Sequence, residues 1–196
     1  MSYELIVIGA SWGGLHAVGE ILAALPEDLD AAVVVAQHRA SDTVPGGLAG
    51  LLATRARLAV SDVDDKEPIE PGRVYLAPPD YHLLIQHGYF SLSKEERVNF
   101  ARPSIDVLFE SAADAYRERL IGVVLTGSNE DGAAGLARIK ARGGVAIVQD
   151  PRTAERPEMP DAALAATVAD AVLPLADIGP FLYGLTVEPA AARVET

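Results

Sequence analysis

The chain contains no cysteine, which excludes disulfides, thiolate chemistry and zinc fingers and fits a cytoplasmic location. It has no run of 18 apolar residues, so no membrane insertion is expected. No basic leader precedes the first apolar run, which begins almost at the N-terminus. Basic residues are scarce: 16 Lys and Arg against 28 Asp and Glu give a formal net charge of −12. So acidic a surface repels phosphates on average, and general nucleic-acid binding is not expected. The one local basic cluster, Arg138, Lys140 and Arg142, reads as a solvated helix face. Low-complexity linkers and internal repeats are also missing. What remains is 196 residues, 49% hydrophobic, enough for one well-buried core. We read residues 1–186 as a single domain and 187–196 as a flexible tail.

Short apolar runs alternate with helical periodicities. Strand-like segments fall at Leu5–Ile8, Ala32–Ala36, Leu58–Ser61, Arg73–Ala77, Leu120–Leu125, Val145–Val148 and Ala171–Leu173. Helical patterns fall between them, around Pro45–Thr54, from a Ser104 cap to Arg119, over Ala133–Arg142, Asp161–Thr167 and Leu175–Leu185. His82–Gln86 and Tyr89–Leu92, joined by His87-Gly88, read as a hairpin. This alternation predicts an α/β fold: a doubly wound, mostly parallel sheet with helices on both faces and a small β-hairpin. Functional groups in such folds gather beyond the carboxyl ends of the strands.

Three residues of complementary chemistry stand at three such ends. LIVIGASWGG at 5–14 delivers Ser11 in a glycine-rich turn from strand to helix, VVVAQH at 33–38 delivers His38, and the strand ending LTG opens into Ser128-Asn129-Glu130-Asp131. A hydroxyl, an imidazole and a carboxylate are the set needed for nucleophilic acyl transfer. Each residue also has a plain structural reading: Ser11 as a turn residue, His38 as a polar strand end, Asp131 as a helix N-cap. The first loop is not a dinucleotide-binding turn, because Ser11 replaces a glycine needed for close approach and the second strand ends in His38 rather than an acid. Nor is it a Walker loop, since no Gly-Lys-Ser/Thr follows. The order Ser, His, Asp differs from that of an α/β-hydrolase. No His/Asp/Glu cluster has metal-ligand spacing, and the chemistry needs neither metal nor organic cofactor.

The segments IGASWGG at 8–14, VVVAQH at 33–38, VYLAPPDYHL at 74–83, RPSIDVLF at 102–109 and LTGSNEDGAAG at 125–135 resemble the chemotaxis protein-glutamate methylesterases, specifically the CheB catalytic domain. Weaker support comes from QDP at 149–151 and Met159-Pro160. The resemblance implies a triad of Ser11, His38 and Asp131. It implies hydrolysis of γ-glutamyl methyl esters on the cytoplasmic helices of methyl-accepting chemoreceptors, and in some members deamidation of receptor glutamines. Trp12, Gly13, Ser128 and Asn129 fall on the rim or oxyanion positions. Trp12 stands where a small residue is common, and Ser128-Asn129 replaces a frequent Met-Gly; both changes bear on substrate recognition, and a catalytically altered binding module is the competing expectation. Many members carry an N-terminal receiver domain, so a stand-alone enzyme or a separate response regulator is expected here. His82 is a candidate cleft contact or strand-surface residue, His87 a turn residue, His16 a helix-surface residue, and Ser104 a helix cap. Asp131 is preferred to Glu130 as the acid because it directly precedes Gly132-Ala133.

Overall fold

The computed structural model describes residues 3–39 and 46–187. Seven parallel strands form one sheet in the order β3-β4-β2-β1-β7-β8-β9. These are β1 (Leu5–Ala10), β2 (Ala32–Gln37), β3 (Ala59–Asp62), β4 (Arg73–Leu76), β7 (Leu120–Val124), β8 (Val145–Gln149) and β9 (Ala171–Leu173). A separate antiparallel hairpin pairs β5 (His82–Ile85) with β6 (Phe90–Ser93). The doubly wound architecture follows from side-chain alternation along the central strands. Leu5 and Val7 of β1 face one layer, and Ile6 and Ile8 face the other.

The first layer holds α3 (Ile105–Tyr116), α4 (Ala133–Ala141), α5 (Glu158–Ala166) and the hairpin. The second holds α1 (Gly14–Ala24), α2 (Gly47–Ala53) and α6 (Leu175–Thr186). Because both faces are covered, β1, β2 and β7 are apolar on both sides, which is why they read as unbroken runs in the sequence. The chain leaves β1 toward β2 on one side and later returns to β7 on the other. The carboxyl ends of β2, β1 and β7 therefore share one edge at the topological switch point.

Several boundaries differ from the sequence reading. The helix expected to reach Arg119 stops at Tyr116, because Arg117 takes a φ of +52° and a short 3-10 turn follows. The fifth helix begins at Glu158 rather than Asp161, with Pro160 in its first turn, where a missing N–H costs nothing. The second helix spans Gly47–Ala53, and Pro45 lies outside the described residues, as do all positions of the expected tail except Val187. Arg138, Lys140 and Arg142 sit on an outer helix face, paired with Asp114 or Asp170. No helix among the described residues is long and apolar enough to cross a membrane.

Candidate active site

Ser11 follows β1 directly. Its amide donates to Thr126 O at 3.0 Å, and its carbonyl accepts from Gly14 N at 2.9 Å and from Gln37 Nε2 at 2.7 Å. Gln37 also donates to His38 O at 3.1 Å, so one side chain ties together the ends of the two strands that carry the hydroxyl and the imidazole. The turn into α1 needs Gly13 in the left-handed region, at φ +78°. Thr126, buried at the end of β7, clamps the turn from the other side: its hydroxyl donates to Trp12 O and accepts from Arg156 N, both at 2.9 Å.

The structure brings Ser11, His38 and Asp131 into one chain of hydrogen bonds. His38 Nδ1 lies 3.2 Å from Ser11 Oγ, and His38 Nε2 lies 2.7 Å from Asp131 Oδ2. The imidazole presents Nδ1 to the hydroxyl and Nε2 to the carboxylate, opposite to the ring usage of chymotrypsin-type triads. A carboxylate can only accept, so it fixes the ring proton on Nε2 and leaves the Nδ1 lone pair facing serine.

Asp131 is fully buried yet amply satisfied. Oδ2 accepts from His38 and from Ile105 N at 2.7 Å; Oδ1 accepts from Ser104 Oγ at 2.9 Å, Asp106 N at 3.0 Å and Asn99 Nδ2 at 3.3 Å. Burial pushes this carboxyl pKa up, but the bonds from His38 and from the Asp106 and Ile105 amides outweigh it and hold it below the usual Asp value. Asp131 is thus no N-cap of its own helix: Gly132, at φ +99°, occupies that position in α4, and Asp131 instead receives the free N–H groups at the start of α3. Glu130 beside it is exposed.

Asp106 is the largest omission from the sequence reading. It lies in the first turn of α3, and its Oδ1 accepts from Gly132 N at 3.0 Å and Gly135 N at 2.7 Å, at the start of α4. Burial, reinforced by the charge of Asp131, raises its pKa to about 6 despite those amide bonds. Asn99 Nδ2 bridges the two acids, 2.9 Å from Asp106 Oδ2 and 3.3 Å from Asp131 Oδ1. Ser104 does cap α3, accepting from Val107 N at 3.4 Å, while its proton goes to Asp131. His82 is neither a cleft contact nor a strand-surface residue. It is buried, with Nε2 donating to Glu96 O at 2.9 Å and Nδ1 accepting from Ser104 N at 3.2 Å, because the hairpin packs directly on the start of α3.

The rim residues divide. Asn129 Nδ2 approaches His38 Nδ1 at 3.4 Å, and Asn129 Oδ1 accepts from Asp131 N at 3.2 Å. Ser128 is exposed. Trp12 is 57% exposed, its indole N–H donating to Glu155 at 2.8 Å with the Arg156 guanidinium 5.6 Å from the ring centre. Among the described residues, the backbone N–H groups of Trp12, Gly13 and Ser128 have no acceptor. Those of Trp12 and Gly13 follow Ser11 directly at the uncapped start of α1, where the helix dipole favours negative charge. His38 opens on a cleft of about 550 Å³ whose walls include Arg97, Asn99, Phe100, Arg102 and Asn129. Arg102 is committed to structure: its guanidinium binds Asp80 at 2.6 Å and the carbonyls of Lys94 and Glu95.

A parallel sheet, a switch-point edge and a hydroxyl–imidazole–carboxylate chain define a serine-hydrolase type of site. Comparison with known proteins identifies the family. The CheB methylesterase family profile matches residues 6–182, and the chain belongs to that family. A Leptospira interrogans protein, provisionally named protein-glutamate methylesterase/protein-glutamine glutaminase, is 49% identical over 179 residues, covering 91% of this chain and 92% of the relative. An Anaeromyxobacter dehalogenans protein-glutamate methylesterase/protein-glutamine glutaminase is 43% identical over 183 residues, covering 93% of this chain but 53% of the relative. The crystal structure of the Thermotoga maritima CheB methylesterase catalytic domain superposes with a TM-score of 0.87 at 36% identity, covering 94% of this chain and 100% of that one.

Proposed function

We propose that this chain is a protein-glutamate methylesterase, with residues 1–186 as its catalytic domain, acting in the cytoplasm on γ-glutamyl methyl esters of chemoreceptor helices. The observation that carries the reading is the pair of contacts His38 Nδ1–Ser11 Oγ at 3.2 Å and His38 Nε2–Asp131 Oδ2 at 2.7 Å. Ser11 Oγ attacks the ester carbonyl as its proton passes to His38 Nδ1. The carbonyl π pair moves onto oxygen, where the N–H groups of Trp12 and Ser128 receive it; one such donor is worth about 3 kcal/mol of barrier. Asp131 stabilises the imidazolium without taking its proton.

Collapse of the tetrahedral intermediate breaks the bond to the methoxy oxygen, which leaves as methanol with the proton from His38. Water then adds to the acyl-serine, giving its proton to the same nitrogen, and collapse returns that proton to Ser11 and frees the glutamate. With ammonia as leaving group the same sequence deamidates glutamine, the second activity in the relatives' names. Incubation with a methylated receptor fragment tests it: methanol is released if the reading is right, and no release over the buffer rate overturns it.

A further inference from the structure

Phe100 is 96% exposed, the highest value for a large apolar side chain among the described residues. Its backbone is equally unusual. Asn99 at φ +50° and Phe100 at φ +62° are the central pair of a tight turn closed by Val98–Ala101 hydrogen bonds of 2.9 and 3.2 Å. Asparagine and glycine suit such positions, whereas a bulky aromatic at positive φ is an outlier. The turn cannot relax freely, because Asn99 is bonded to Asp106 and Asp131. A strained residue displaying an apolar ring to water, tied to the carboxylate that orients His38, points to a surface with a use.

Phe100 also borders two clefts. One, of about 550 Å³, contains His38 and Arg97; the other, of about 470 Å³, contains Glu130 and Glu158. Arg97, Glu130 and Glu158 are exposed, and none forms a salt bridge among the described residues. Among the described residues, Phe100 thus stands between one cleft with an unpaired cation beside His38 and another with unpaired carboxylates.

We propose that Phe100 is the anchor on which the ester-bearing protein segment docks, with Arg97 receiving an acidic side chain of that segment and Glu130 and Glu158 facing basic ones. The proposal rests on the methylesterase reading for the identity of the occupant. The cleft beside Phe100 is lined by His38, whose Nδ1 lies 3.2 Å from Ser11 Oγ, so a segment seated there brings its ester next to the attacking hydroxyl. An exposed aromatic ring that becomes buried on docking can serve as a binding hot spot, and flanking charges set the partner's orientation.

The test uses the full chain, Phe100→Gly and Arg97→Glu. Anisotropy of a labelled, unesterified receptor segment reads binding, and turnover of the methylated segment is compared with that of a small aryl ester. Phe100→Gly weakens binding about tenfold, and its kcat/KM falls about tenfold more for the segment than for the small ester. Its melting temperature is no lower than that of the parent, because glycine suits the positive φ. Arg97→Glu weakens binding of an acidic segment more than of one whose acids are changed to glutamine. Undiminished binding by Phe100→Gly, or equal losses on both esters, overturns the proposal. Binding that depends on Phe100 without cleavage of any ester refutes the esterase reading and leaves docking intact.

Discussion

Asp106 and Asp131 cap each other's helices. Asp131, just before α4, accepts from the first amides of α3, while Asp106, in the first turn of α3, accepts from Gly132 and Gly135 at the start of α4. Each helix start supplies partial positive charge to an acid carried by the other. The exchange locks the loop that holds the imidazole's carboxylate, with Asn99 bridging both acids.

The exchange predicts a pH dependence of stability. Asp106 titrates at about 6 in the folded chain, above its unfolded value of 3.8. The folded state therefore binds more protons between these values, and the stability linked to Asp106 is full below about pH 4 and lost as pH rises through about 6. Asp131 is depressed, so the stability linked to it is present above about pH 4 and lost only on further acidification. Asp106→Asn keeps an acceptor for the α4 amides but cannot ionise. Its stability should gain on that of the parent between about pH 4 and pH 6, as read by urea midpoints. A constant gap would refute the assignment.

Asp131→Asn keeps most of the loop's hydrogen bonds but no longer holds the proton on Nε2 of His38. Its kcat should fall by about 10⁴ with little change in KM, as for the equivalent change in a chymotrypsin-type triad. Steady-state kinetics on a small ester reads this directly, and a loss of less than tenfold would mean that the acid does not orient the base.

Ser104→Ala removes both the α3 cap and a donor to a buried carboxylate. The cap contributes about 1 kcal/mol and the charged hydrogen bond about 1.5–3. Denaturant unfolding should show a loss of about 2.5–4 kcal/mol at neutral pH, and a loss within error would contradict the network.

Two glycine substitutions should act in opposite directions. A Cβ at Gly127 would meet Ser11 Cβ at 2.8 Å and collide with Met159, so Gly127→Ala should cost about 1–3 kcal/mol and displace the hydroxyl. Gly50, on the exposed side of α2, has nothing within 4 Å, and alanine there should stabilise by about 0.5–1 kcal/mol. Thermal melts of the pair check both signs.

Ser11 and His38 were legible as candidates because each directly follows a buried strand, β1 or β2, whose apolar run fixes where it stops; Asp131, several residues past β7, stood out only by its place before Gly132-Ala133. Asp106, Asn99 and Gln37 were not legible. Asp106 and Asn99 act through two helix starts facing one another and a turn from a distant segment, and Gln37 through the carbonyls of Ser11 and His38; none of these leaves a periodic mark. His82 misled because a histidine at the start of a strand gives no sign of burial, whereas its burial comes from the hairpin packing on Ser104. The early end of α3 was hidden too, since nothing in Arg117-Glu118-Arg119 announces a positive φ.

The account depends most on Ser11 as the attacking group. Methanol released from a methylated receptor fragment should be measured for the parent chain and for Ser11→Ala, with unchanged melting showing that the variant is folded. The prediction is a fall of about 10³-fold or more, to the residual rate that binding and oxyanion donors alone support. Release by folded Ser11→Ala at the parent rate would contradict it.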